Sequence, residues 1–391
     1  MAKIAITGYT DKISVAPGDQ IDFKVSVDNA TTAHVEIVRL IHGDEHPEGP
    51  GFIEEAVPAD CAGDISVRKQ FVDVGNAIIV EDAGDHLAGE TAMTMWAHVF
   101  PTTPTKGRQV ILGRFSLSES AGYALGINSD GYLAFWVGDG SDTDEIIATV
   151  PLIHHTWYFV AASFDPKSRS AVLLQEAVVN PYNGRLGKVA PFDHACIVQQ
   201  KLRLRPAKAT SPFMWAAAQN KAAIRGDFKE FLYNGKIDRA GVIGEALSAT
   251  QLKALAKDQG TTSDKDVARW DTTSGYGPEG IDDRVVDISG NDLHGLGVHR
   301  PVRAMTGYNW SGRHDDWRVA PQEYGGIAFH DDAVMDCAWE TTFSWTVPQT
   351  VRSGAYAARI TCQDAEDHIP FFVRPAAPTA PILFLVPTNS Y

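Results

Sequence analysis

Ile13 and Val15, then Ile21, Phe23, Val25 and Val27, alternate with polar residues on either side of Pro17-Gly18-Asp19. That period of two predicts half-buried strands joined at a tight turn. Val35, Ile37, Val38 and Leu40 extend the pattern. The same style returns near the far end, in Phe343, Trp345 and Val347, in Tyr356, Ala358 and Ile360, and in Ile369, Phe371 and Val373, with turns at Ser353-Gly354 and Asp364 to Asp367. Neither group supplies enough strands for a closed two-sheet core, so the pattern predicts one immunoglobulin-like sandwich drawn from both ends. The interval between them alternates too, at Met93, Met95, Ala97 and Val99, at Tyr132, Ala134 and Trp136, and through Trp157 to Asp165 and Ala171 to Gln175 around a Pro166-Lys167 turn. Short strands at regular spacing describe a second sandwich or jelly roll. One helix is expected after Ser248, with Gln251 at the capping-box position and Gly260 as its stop.

Ile382 to Val386 breaks the period, being apolar at every position. Such a run suits a strand covered on both faces, as in parallel α/β sheets, where chemistry sits just beyond the strand's carboxyl end. The expected fold is therefore mostly β: a sandwich interrupted by a jelly roll, then the first strand of a truncated α/β catalytic domain. The expected boundaries are 1–75 and 335–376 for the two parts of the sandwich, 76–300 for the jelly roll, 301–334 for a return linker and 377–391 for the α/β start.

Composition narrows the function classes. In 391 residues, 34 Lys and Arg against 49 Asp and Glu give a net charge of −15, which argues against a nucleic-acid or anionic-membrane partner. No stretch approaches the roughly 20 apolar residues of a membrane helix. The amino terminus lacks the unbroken apolar run of a signal peptide, so a cytoplasmic location is expected. Cys61, Cys196, Cys337 and Cys362 are scattered without a C-x-x-C, so free thiols are expected rather than zinc or disulfides.

Several clusters carry possible chemistry. His42-Gly43-Asp44-Glu45-His46 has the composition of a metal site, but its Gly and Pro neighbours favour a rigid contact loop. Asp139, Asp142 and Asp144 have a calcium-like spacing, yet lack the closing glutamate of an EF-hand loop and read as a hairpin tip. His154-His155 is expected on a strand, with one imidazole facing inward. Arg225-Gly226-Asp227 is too short a match to carry weight. Gly307 to Trp317 concentrates Tyr308, Trp310, His314, Asp315, Asp316 and Trp317, as either an active-site rim or a linker under aromatic anchors. Neither a Gly-x-Ser-x-Gly elbow nor a phosphate loop is present.

Trp157-Tyr-Phe-Val-Ala-Ala-Ser-Phe-Asp165, Asn234-Gly-Lys-Ile-Asp238, Ala246-Leu-Ser-Ala-Thr-Gln-Leu252 and Asp287-Ile-Ser-Gly-Asn-Asp-Leu-His-Gly295 resemble the laminin-G, concanavalin-like jelly roll. Val38-Arg-Leu-Ile-His-Gly-Asp44, Pro47-Glu-Gly-Pro-Gly51, Ile369-Pro-Phe-Phe-Val-Arg374 and Ala380-Pro-Ile-Leu-Phe-Leu-Val386, with Ser390-Tyr391, resemble the amino-terminal half of the N,N-dimethylformamidase large-subunit family. That resemblance implies an amidohydrolase cleaving a small amide, dimethylformamide, to dimethylamine and formate. It implies a mononuclear Fe(III) held by two tyrosines and a glutamate, of which only Tyr391 falls in this chain, so no catalytic residue is assigned here. It also implies partners: the remaining α/β segment, a small subunit and an α2β2-type hetero-oligomer. The isolated chain is expected to be inactive. Rival readings are a carbohydrate-binding laminin-G module and a structural or oligomerisation scaffold.

Overall fold

A computed structural model describes residues 5–44, 46–82, 84–183, 194–222, 226–257, 264–277, 280–378 and 380–387. The chain is nearly all β and divides into two compact units, Met1–Val72 with Cys337–Tyr391, and Asp73–Asp336.

The first unit is a two-sheet sandwich. One sheet orders Ile6–Thr10, Gln20–Val27 and Phe343–Thr346. The other orders Ser14–Val15, Ala365–Val373, Gly354–Cys362, Thr32–His42 and Ile53–Val57, with Gly63–Ser66 also pairing to Thr32–His42. Ladders between sequence-distant strands close it: Phe23 lies opposite Phe343 and Ile37 opposite Ala358. The alternating residues meet between the sheets, where Ile21, Phe23, Val25, Val35, Ile37, Trp345, Ile360 and Phe371 are buried together. Phe23 stacks on Phe343 at 4.6 Å and meets Phe371 edge-on at 5.5 Å.

The second unit is a larger jelly roll. One of its sheets runs Cys196–Lys201, Ser170–Ala177, Tyr158–Asp165, Met93–Pro101 and Gly235–Ile243, and then divides between Asp266–Asp271 and Gly326–Phe329. The facing sheet runs from Thr143–Pro151 through Tyr132–Asp139, Ala121–Ile127, Gln109–Ser116, Phe213–Trp215 and Ala77–Val80 to Gly295–Val298. Arg284–Asp287 pairs with Asp266–Asp271 on one side and Gly295–Val298 on the other, joining the two sheets. Met95, Ala97, Val99, Tyr158, Val160, Phe135 and Trp270 lie in the core between them. Residues 301–334, read from sequence as a linker, supply strands Val302–Met305 and Gly326–Phe329 of this unit.

Met93–Pro101 is buried on nearly every position although it is antiparallel. Its Met95, Ala97 and Val99 face the core, and alternation turns Trp96, His98 and Phe100 to the opposite face. That second face is covered as well. At one end lies the helix Ala249–Leu255, whose Leu252 packs with Trp96, Phe159, Leu174 and Ile243. Ser248 caps it: its hydroxyl accepts from the Gln251 amide, and its own amide donates to Gln251 Oε1 at 2.9 Å. At the other end lies the segment around Tyr308.

Ile382 to Val386 forms no strand here, and Ile382, Leu383, Phe384 and Leu385 are 84, 89, 81 and 83% exposed. A strand of that composition needs a sheet on both sides, and none of the described strands pairs with it.

Candidate functional site

The strand Gly235–Ile243 places Ile237 in the core and turns Lys236 and Asp238 to the covered outer face. Opposite them in register lie Phe100 and His98 of the neighbouring strand. At Arg239 the register shifts, and this residue has φ of 43°. Such a bulge inserts one residue and re-aims its side chain. The Arg239 guanidinium accordingly donates to the Tyr308 hydroxyl at 2.8 Å and to the Gln322 carbonyl at 2.8 Å.

Asp238 is fully buried and holds the covering segment down. Its Oδ1 accepts from the Thr272 hydroxyl at 2.8 Å, and its Oδ2 from the Tyr308 amide at 3.3 Å. Arg239 Nε is 3.9 Å away. Burial pushes the Asp238 carboxyl above its ordinary range, against the pull of Arg239 and Thr272. Gly307 and Gly325 are needed here, because a Cβ at either position would run into an Asp238 carboxylate oxygen. Anchored in this way, the Tyr308 ring stacks on His98 at 3.6 Å with planes 9° apart.

Beside this knot lies a cavity of about 150 Å³ walled by Phe100, Trp157, Tyr182, Tyr308 and Trp310, with Lys236 reaching into it. Lys236 Nζ donates to the Thr306 carbonyl at 2.8 Å and to the Thr306 hydroxyl at 3.0 Å. It also lies 4.6 Å from the Phe100 ring centroid and 5.0 Å from that of Trp157. Desolvation lowers its pKa to about 8, while the Asp238 charge pulls the other way. Chemically, the cavity offers a single ammonium, hydrogen-bonded to the Thr306 hydroxyl, among aromatic faces.

The sequence-predicted clusters fare differently. Tyr308 and Trp310 of the Gly307–Trp317 segment wall this cavity, whereas Trp317 meets Tyr276 edge-on at 5.0 Å in a separate cleft. The His42, Asp44 and His46 side chains bond backbone groups of their own loop, the Asp44 and His46 amides included, and Glu45 lies outside the described residues. Asp139 accepts three bonds from Ser141 and Asp142 at a hairpin tip, and Asp144 accepts from the Arg203 amide at 2.5 Å. His154 and His155 are both exposed, contrary to the expected inward imidazole. They sit in a turn where His155 has φ of 56°, and the strand starts only at Tyr158. Arg225 and Tyr391, with Thr388 to Ser390, lie outside the described residues. All four cysteines are free.

Residues 302–391 match a family profile described as N,N-dimethylformamidase beta subunit-like, C-terminal. The N,N-dimethylformamidase beta subunit of Paracoccus aminophilus is 39% identical over 399 residues, covering 100% of this chain and 52% of that protein. Its counterpart from Alcaligenes sp is 38% identical over 397 residues, with the same 100% and 52% coverage. From end to end this chain is similar to N,N-dimethylformamidase beta subunits. It spans about half the length of these curated relatives.

The expected large-subunit likeness is thereby corrected, since both relatives and the profile carry the beta-subunit name. A Ruminococcus gnavus IT-sialidase CBM40 is a distant structural likeness, 14% identical over 48% of this chain and 97% of that one at a TM-score of 0.34, which carries no functional argument. No helix among the described residues is long and apolar enough to cross a membrane.

Tyr391, the one implied iron-ligand position in this chain, lies outside the described residues. Among them, the one grouping of three His, Cys, Asp or Glu ligand atoms is His330, Asp331 and Asp332. In that grouping Asp331 is already bonded by Lys106 and Asn234.

The sequence reading missed Lys236, Asp238, Arg239 and Thr272. The available signal was Trp96, His98 and Phe100, aromatic rings interleaved with the core positions Met95, Ala97 and Val99, where a solvated face would carry flexible polar residues.

Proposed function

We propose that this chain is the β-rich part of a subunit in an N,N-dimethylformamidase-type amidohydrolase, which hydrolyses a small linear amide to an amine and a carboxylate. One observation carries the reading: the 39% identity to a beta subunit of that enzyme extends over the whole of this chain. Catalysis belongs to the assembly, with a second, non-identical subunit in an α2β2-type hetero-oligomer and with an α/β segment that pairs with Ile382 to Val386. The exposure of Ile382, Leu383, Phe384 and Leu385 supports such a pairing. Tyr391 is a candidate ligand of an Fe(III) centre whose other donors lie outside this chain. Phenolate is a hard anionic oxygen donor suited to Fe(III), and the metal would supply Lewis acidity.

The test compares this chain alone with the assembly containing a full-length beta subunit and its partner. Alone, it should neither retain iron nor release formate from dimethylformamide, whereas the assembly should do both. Tyr391→Phe in the assembly should remove the tyrosinate-to-iron absorption contributed by this residue and lower turnover severely. Stoichiometric iron and full activity in this chain alone, or an unaffected Tyr391→Phe assembly, would overturn the proposal.

A further inference from the structure

Lys236 is a cation brought into an aromatic enclosure with no contact ion pair among the described residues. Among the described residues its side-chain contacts are with Thr306, Phe100 and Trp157, and no carboxylate lies within ion-pair distance. Asp238, two residues on, is engaged with Thr272, the Tyr308 amide and Arg239. Ring quadrupoles attract an ammonium but carry no net charge, so they offset only part of what burial costs it. Of the three Nζ hydrogens, Thr306 takes two, leaving one donor for the cavity.

The two asparagines that line the cavity are already occupied. Asn180 donates to the Tyr308 and Trp310 carbonyls at 3.1 and 3.0 Å and accepts from the Tyr182 amide at 2.9 Å. Asn183 accepts from the Trp157 amide at 2.6 Å and donates to the Trp157 and Val178 carbonyls at 3.0 and 2.7 Å. Among the described residues Lys236 is the one charged side chain lining the cavity, so recognition of a guest's charge falls to its ammonium. Tyr182, 51% exposed and 5.2 Å from Trp310, stands at the rim. A cavity of about 150 Å³ matches one known to hold a benzene-sized guest.

We propose that this cavity is a binding site for a small monocarboxylate, of up to about six non-hydrogen atoms, whose carboxylate takes the free donor of Lys236 and whose apolar part lies against the Phe100, Trp157 and Tyr308 rings. A charge-assisted bond supplies the directly bonded carboxylate that Lys236 lacks among the described residues. Dianions and larger acids are excluded by the single cation and by the volume. The inference stands independently of the amide-hydrolysis reading, because it uses only the residues around the cavity.

Isothermal titration of the chain with acetate, with acetamide as the neutral isostere, tests it. Acetate should bind at one site per chain, at least tenfold more tightly than acetamide. Lys236→Met, which keeps the stem and removes the charge, should weaken acetate at least tenfold, and Lys236→Arg should retain it. Should Lys236→Met fail to fold, reductive methylation of the wild-type chain decides: acetate should slow labelling of Lys236 severalfold, read by peptide mass spectrometry, without slowing that of exposed Lys167. Absence of saturable acetate binding, acetamide binding as tightly as acetate, a folded Lys236→Met chain with unchanged affinity, or Lys236 labelling indifferent to acetate would each overturn the proposal.

Discussion

A lysine on a strand normally reads as a solvent-facing position, and nothing adjacent to Lys236 in the chain contradicts that. Its burial comes from Thr306 and Tyr308, some 70 positions away, so the sequence showed the residue but not its environment. The lowered pKa gives a stability signature with a definite sign. Between about 8 in the folded chain and 10.5 in the unfolded one, the unfolded state binds a proton that the folded state lacks, so stability from this group rises with pH through that window. At pH 7 both states are protonated and the whole desolvation cost is felt. Lys236→Met removes that group while leaving Asp238, Arg239, Tyr308 and His98 in place. The variant's melting temperature minus that of the wild type should therefore be greatest near pH 7 and shrink toward pH 10. Scanning calorimetry across that range checks it, and a difference independent of pH would contradict the burial of the ammonium. Cys61 illustrates the same physics with a thiol, whose pKa is pushed up to about 11 by burial and by Asp60.

At the scale of elements, short-range chemistry was legible and long-range cover was not. The helix after Ser248 forms with the capping box that Ser248 and Gln251 announce, because both partners lie within one turn. The strand expected to include His154-His155 starts later, because the left-handed backbone at His155 makes a turn there. The Gly307–Trp317 segment was recognisable as aromatic-rich, yet its anchoring by Asp238 was not, since that carboxylate reaches it from a distant strand. Gly307→Ala tests the anchor: the added methyl would collide with Asp238 Oδ2, and forced overpacking of this kind costs about 1–3 kcal/mol. Urea unfolding should show that loss. An unchanged midpoint and slope would mean that the segment is held elsewhere.

For the whole molecule, the continuous apolar run from Ile382 to Leu385 is the largest departure from ordinary surface chemistry, with every side chain more than four-fifths exposed. Exposed runs of this kind seek a partner surface. Leu383→Lys with Leu385→Lys should therefore reduce self-association of the isolated chain, measured by light scattering over a concentration series, and should leave the melting temperature of the rest unchanged. Equal scattering by both proteins would show that the run is not the adhesive surface.

What the sequence by itself determined was periodicity and punctuation. The alternation of Ile21, Phe23, Val25 and Val27, and of Met95, Ala97 and Val99, names the core-facing residues, because side chains of any strand alternate regardless of what the strand meets. Turns and the helix cap follow for the same local reason. Only the tertiary structure decided which strands pair, as when Ile37 meets Ala358, and which polar residues lose their water, as when Tyr308 closes over His98, Lys236 and Asp238. Burial is a property of two segments at once, and the energies of a desolvated ammonium or carboxylate exist only after both are in place.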